Sequence, residues 1–151
     1  MTRDLVVREA TDTDLSRILE LTRQDSMHYF DEPETVTAGQ RAAFAEITAD
    51  PNQDLLVGEV DGRVVATCQL TWMRMLAADG GLYCQVEAVR TEASLRGRGI
   101  GAALMAHVEA EARRRGVARM QLTSNSERAD AHRFYQRLGY LASHVGMKKY
   151  L

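Results

Sequence analysis

Arg96-Gly97-Arg98-Gly99-Ile100-Gly101-Ala102 is the stretch whose reading decides the fold. Its glycines let consecutive backbone N–H groups turn toward one point. The residues after it have a helical period: Ile100, Leu104, Val108 and Ala112 recur one turn apart, and Glu109/Arg113 and Glu111/Arg115 are supporting pairs along the same helix. A helix N-terminus carries about half a positive charge, so a glycine loop opening onto it suits a diphosphate. Arg96 and Arg98 add to that charge.

Other loops share parts of this pattern. A plain tight turn with solvated arginines needs the same residues. A P-loop needs Lys followed by Ser or Thr after its last glycine; neither is present, which excludes nucleoside triphosphate hydrolysis. Gly97, Gly99 and Ala102 do fit G-x-G-x-x-A. In a dinucleotide fold, however, the strand runs directly into the first glycine and the next strand ends in an acid. Here residues 92–95 intervene, the next strand runs into Ser124-Asn125, and almost two-thirds of the chain precedes the motif.

Toward the N-terminus, residues 5–8 read as a first strand, and Thr11-Asp12-Thr13-Asp14 supplies oxygens to cap a helix carrying Leu15, Ile18, Leu19 and Thr22 on one face. That helix ends near Gln24. A loop over residues 25–36 comes next, long enough to suggest a functional role. Thr37 with Gln40 predicts a capping box, opening a second helix that stops at Asp50-Pro51. Residues 55–60 and 64–72 flank Asp61-Gly62, a hairpin signature, because this pair tolerates the positive φ of a tight turn. Residues 82–91 and 117–123 are further strands. Residues 128–138 form a helix stopped by Gly139, and 140–150 a closing strand or pair of strands. The expected architecture is an α/β domain spanning residues 1–151, with a mixed sheet of six to seven strands flanked by about four helices.

Composition agrees with one globular core. The 151 residues are 45% hydrophobic and 26% charged, with formal net charge -2, so nothing favours nucleic acid. A domain of this length buries roughly 70% of its unfolded surface and needs no disulfide or metal staple. Cys68 and Cys84 lack metal or redox spacing and read as buried small hydrophobes. No metal site is expected. The N-terminus has no signal-like apolar run and no segment is long enough for a membrane span, which places the protein in the cytoplasm.

The segment from Val86 to Tyr140 resembles the core of the GCN5-related N-acetyltransferase (GNAT) superfamily. Arg96-Gly97-Arg98-Gly99-Ile100-Gly101 satisfies that family's acetyl-coenzyme A loop, [QR]-x-x-G-x-[GA], and Glu87-Ala88-Val89-Arg90-Thr91 matches its preceding strand, with Thr91 replacing the commoner Val and Arg90 more polar than usual. Asn125 and Ala131-His132-Arg133-Phe134-Tyr135-Gln136-Arg137-Leu138-Gly139-Tyr140 resemble its second signature. Together these cover about a third of the chain. The resemblance implies acetyl-CoA as co-substrate, with the pantetheine arm lying between two splayed parallel strands and paired with the backbone of Val89 and Thr91. It implies diphosphate contacts along Arg96, Gly97, Arg98, Gly99, Ile100, Gly101 and Ala102, and a pantetheine contact from Asn125. Tyr135 matches the general acid that protonates the departing thiolate; its structural alternative is a core aromatic, on a stripe with Ala131, Phe134 and Leu138.

Alkylamines have pKa values near 10, so a group must accept a proton during transfer at neutral pH. Glu87, in an otherwise apolar strand where burial would raise its pKa, is the candidate base; pairing with an arginine is the structural alternative. A backbone N–H near Val89 is the expected oxyanion donor. An acetyl-cysteine route through Cys84 lacks a basic partner.

Met27-His28-Tyr29-Phe30-Asp31-Glu32 combines acidic and aromatic groups suited to a cationic acceptor, or to a solvated loop anchored by its aromatics. Trp72, Arg74 and Met75 are candidates for the opposite wall, and His144 is within conceivable reach of the thioester. The expected acceptor is a primary amine of a small molecule; polyamine, aminoglycoside, amino-phosphonate, amino acid and protein N-terminus all remain open. A cofactor-binding regulator without transfer, a protein N-terminal or lysine acetyltransferase, and a plain interaction module are the rival functions. A homodimer exchanging its final strand is compatible with the sequence.

Overall fold

The computed structural model describes residues 4–25 and 33–151. The chain runs β1 (Val6–Glu9), a 3₁₀ turn (Asp12–Asp14), α1 (Leu15–Arg23), α2 (Ala38–Ala49), β2 (Gln53–Val60), β3 (Arg63–Arg74), β4 (Leu82–Thr91), α3 (Ile100–Arg114), β5 (Arg119–Leu122) and α4 (Ala129–Arg137). Strands β1 to β4 pair antiparallel in sequence order, and β5 joins β4 in parallel, giving a mixed sheet.

The local signals act as their chemistry demands. Thr37 Oγ1 accepts from the Gln40 N–H at 3.1 Å while Gln40 Oε1 accepts from the Thr37 N–H at 3.0 Å, so the capping box at the start of α2 is reciprocal. Asp61 and Gly62 both have positive φ, 52° and 75°, as the β2–β3 hairpin turn requires. Residues 77–80 form a left-handed turn before β4, with Ala78 and Asp79 at φ 53° and 55°.

Two apolar layers hold the sheet. On one face α3 places Ile100, Leu104, Val108 and Ala112, all buried, against Cys68, Leu70, Cys84 and Val86. On the other, α1 contributes fully buried Leu21, packed on Val57 and Val64. Both cysteines are buried and unpaired with each other, as expected for small hydrophobes. Trp72, anticipated as a wall of the acceptor side, belongs to the α3 core instead. It is 3% exposed, its Nε1 donates to Asp54 Oδ2 at 2.7 Å, and the Arg115 guanidinium covers its ring at 4.2 Å.

Five strands form among the described residues, rather than six or seven. The expected closing strand or strands at 140–150 are missing, because a segment with strand-like apolar residues becomes a strand only where a neighbouring ladder accepts it. Leu141, Val145, Met147 and Leu151 are instead exposed.

Candidate active site

The parallel β4–β5 pairing runs from Tyr83↔Arg119 to Val86↔Leu122 and stops there. Strand β4 continues to Thr91, paired on its other side with β3 as far as Ala66↔Thr91. The edge of β4 facing β5 is therefore open over residues 87–91, which is the splay expected of the sheet. Open strand edges offer N–H and C=O groups to an extended amide chain.

A bulge marks where the splay begins. Gln69 opposes Glu87 and Thr67 opposes Arg90, so Ala88 and Val89 together face the single residue Cys68, and Ala88 takes φ 51°. Thr67 and Gln69 are two apart and share one face of β3; the bulge accordingly puts Glu87 and Arg90 on that same face. Val89 and Thr91 turn to the other: Val89 packs on the α3 core, and Thr91 Oγ1 lies beside Gly101. The Val89 carbonyl accepts from Arg90 Nη1 at 3.0 Å and the Thr91 carbonyl from Arg96 Nε at 3.4 Å.

After β4, a 3₁₀ turn (Ala93–Leu95) leads into the glycine loop. Gly97 and Gly99 adopt φ 74° and 82°, left-handed conformations that L-residues resist. Gly99 is the N-cap of α3, and the first bond back to it comes from Ala103 N at 2.9 Å, so the N–H groups of Ile100, Gly101 and Ala102 precede the helical ladder. Arg96 and Arg98 are exposed around this opening. Arg96 also reaches the Gln24 carbonyl at 3.3 Å, tying the loop to the end of α1. The loop, the helix N-terminus and the open β4 edge fit an anionic head with an extended amide arm.

Tyr135 is half-buried on α4, edge-on to Phe134 (5.0 Å between centroids) and Tyr140 (5.7 Å). Burial raises its pKa, against the opposing pull of Arg128 and Arg90 nearby, so the phenol keeps its proton at neutral pH. Asn125 Oδ1 accepts from the Glu127 N–H at 2.9 Å, and the Asn125 carbonyl accepts from Arg128 N, shaping the turn into α4. Glu87 is exposed, so the burial expected of it is not found. Burial pushes the Cys68 thiol up to about 12 and that of Cys84 up to about 11. Neither supplies the thiolate that an acetyl-cysteine route needs.

On the Glu87 face, a cavity of about 170 Å³ opens between α1, α2 and the bulge. Its lining is apolar, with Leu15, Leu19, Phe44, Ile47, Cys68 and Ala88, plus the polar Gln40 and Gln69. Residues 27–32, proposed for the acceptor side, lie outside the described residues. Arg74 donates to the Gly80 carbonyl at 2.8 Å, and exposed His144 bonds Ser143 at 2.7 Å in the C-terminal segment. Sequence reasoning missed a cluster that joins the residues after α1 to β4 and to the start of α4. Buried Asp25 Oδ2 receives Arg128 Nη1 at 3.1 Å and lies 3.4 Å from Arg90 Nε. Its one visible signal was the unusual polarity of Arg90.

The acetyltransferase (GNAT) family model matches residues 15–140. The chain belongs to this family. It is an N-acetyltransferase, and enzymes of the GNAT family use acetyl-CoA as co-substrate. The aminoalkylphosphonate N-acetyltransferase of Salmonella typhimurium is 34% identical over 111 residues, 74% of this chain and 71% of that protein. A solved Bacillus halodurans structure described as a transcriptional regulator superposes with a TM-score of 0.92 at 33% identity, covering 98% of this chain and all of that one. An Agrobacterium tumefaciens protein, itself provisionally described as an acetyltransferase, gives 0.86 at 27% identity over 97% of this chain and 99% of that one. Among the described residues no helix is long and apolar enough to cross a membrane, and no cluster of His, Cys, Asp or Glu could hold a metal.

Proposed function

We propose that this GNAT enzyme transfers the acetyl group of acetyl-CoA to a primary amine of a small molecule, by direct attack of the amine on the thioester. The observation that carries the reading is a coincidence in space: a left-handed glycine loop opens onto α3 beside a β4 edge freed at Val86 and Leu122. The N–H groups at the start of α3, with Arg96 and Arg98, hold the diphosphate. The free edge at Val89 and Thr91 pairs with the pantetheine arm, and Asn125 bonds the same arm.

On the other side of the bulge, Glu87 accepts the proton of the attacking amine, directly or through water. The backbone at the bulge offers an N–H to the oxygen that gains charge. When the carbon–sulfur bond breaks, Tyr135 donates its proton to the leaving thiolate. Similarity to an aminoalkylphosphonate acetyltransferase supports a small amine as acceptor. The test is release of coenzyme A thiol against a panel of amines. Release with a small amine is expected; binding of acetyl-CoA without release from any amine would favour a regulator, the description carried by the Bacillus halodurans relative.

We place the enzyme in the cytoplasm, where unpaired Cys68 and Cys84 stay reduced, and take residues 1–151 as one catalytic unit. We also propose a homodimer, because Leu141, Val145 and Met147 leave apolar surface in water while β5 pairs only with β4 among the described strands. Sedimentation should give a dimer, and Val145→Asp with Met147→Asp should give a monomer.

A further inference from the structure

We infer that Arg90 and Arg128 form the subsite that receives an acidic group, a carboxylate or phosphonate, at the far end of the acceptor amine. This rests on the acetyltransferase reading above and narrows its substrate class. The two guanidinium groups come from different elements, β4 and the N-cap of α4, and converge on one carboxylate oxygen of Asp25. Among the described residues no other carboxylate pairs with either, so the cluster retains a positive charge. Arg90 Nε is buried and faces Asp25 Oδ2 at 3.4 Å without closing a hydrogen bond to it. Guanidinium planes bind carboxylate and phosphonate oxygens in pairs, so a second oxyanion matches the charge that Asp25 alone leaves unbalanced.

The position fits an acceptor with two ends. The bulge puts Arg90 on the same face as Glu87, with the cavity floor at Ala88 between them. Because their partners Thr67 and Gln69 are two residues apart, Glu87 and Arg90 stand roughly 7 Å apart along the strand. That span suits a short amino acid or aminoalkylphosphonate, its nitrogen toward Glu87 and its acid toward the arginines. Burial disfavours the Arg90 cation, and a bound anion would offset that cost.

The test compares aminoethylphosphonate, β-alanine and propylamine in thiol release by wild-type, Arg90→Gln, Arg90→Lys and Arg128→Gln. Wild-type should prefer an acidic amine to propylamine, and the phosphonate and carboxylate arms identify which oxyanion is read. Each Gln variant should raise the KM of that acidic amine at least about tenfold, the loss of a charged hydrogen bond. The KM of acetyl-CoA should hold, and Arg90→Lys should recover part of the loss. Equal use of propylamine by wild-type, or a rise in the acetyl-CoA KM instead, overturns the subsite. Calorimetry with ethylphosphonate, which has no amine to acetylate, reads the subsite independently of transfer. Saturable binding weakened in both Gln variants supports it, and absence of binding to wild-type refutes it. Failure of the acetyltransferase reading would show separately, as no binding of acetyl-CoA.

Discussion

Gly101 and Phe134 meet so closely that a Cβ on the glycine would stand 3.3 Å from Phe134 Cζ and 3.5 Å from Thr91 Oγ1. This contact joins the first turn of α3 to α4, and so sets the glycine loop against the helix that carries Tyr135. Gly101→Val should therefore cost about 1–3 kcal/mol through overpacking and weaken acetyl-CoA binding by displacing the loop. Gly97 has open space around its Cβ position but a φ of 74°. Gly97→Ala should cost about 1–2 kcal/mol by conformation alone. Thermal unfolding with and without acetyl-CoA separates the two effects.

Tyr135→Phe preserves the ring contacts to Phe134 and Tyr140 and deletes only the hydroxyl. Turnover should fall at least about tenfold, a modest share of what general acids contribute, because coenzyme A is a fair leaving group unaided. The KM for acetyl-CoA should stay near wild-type. Wild-type turnover would reduce Tyr135 to a packing residue.

Glu87 makes its own prediction through pH. Glu87→Gln should lower kcat/KM for the amine by about a hundredfold and change the shape of its pH profile. An unchanged profile and rate would exclude Glu87.

The elements that sequence revealed are those whose signal is local. The Thr37–Gln40 box, the Asp61-Gly62 turn and the one-turn stripe of α3 each depend on neighbours a few residues away, and each formed. Long-range partners decided the rest. Trp72 sits in an alternating strand that does not say which face has a helix on it; α3 covers that face, so Trp72 went into the core. Residues 140–150 read as a closing strand but formed no ladder. The bulge at Ala88 is a mismatch between two strands, invisible in either alone, and without it Glu87 and Arg90 would lie on opposite faces. Hence the glycine loop and Tyr135 could be placed in advance, whereas the cluster of Asp25, Arg90 and Arg128 emerged only from the fold.

Away from the site, Arg8 donates to Asp14 Oδ2 at 2.7 Å and to Glu59 Oε1 at 2.6 Å, fastening β1 to the start of α1 and to β2. The hydrogen bond from Arg8 holds the Asp14 carboxyl below its ordinary value of 3.8. A carboxylate depressed in the folded state stabilises fully above its unfolded pKa, and the contribution fades as pH falls through the folded value. Arg8→Met should cost about 1–3 kcal/mol at pH 7. The gap from wild-type should persist to about pH 5 and close below about pH 4. Urea unfolding across that range measures it, and a gap that widens on acidification would contradict the linkage.

Calorimetric titration of the purified protein with coenzyme A and acetyl-CoA tests the central claim most directly. The account predicts saturable, one-to-one binding of both, weakened at least about tenfold when Arg96 and Arg98 are replaced together by Gln, since charged hydrogen bonds to phosphate are lost. Absence of binding, or binding indifferent to those two arginines, would contradict it.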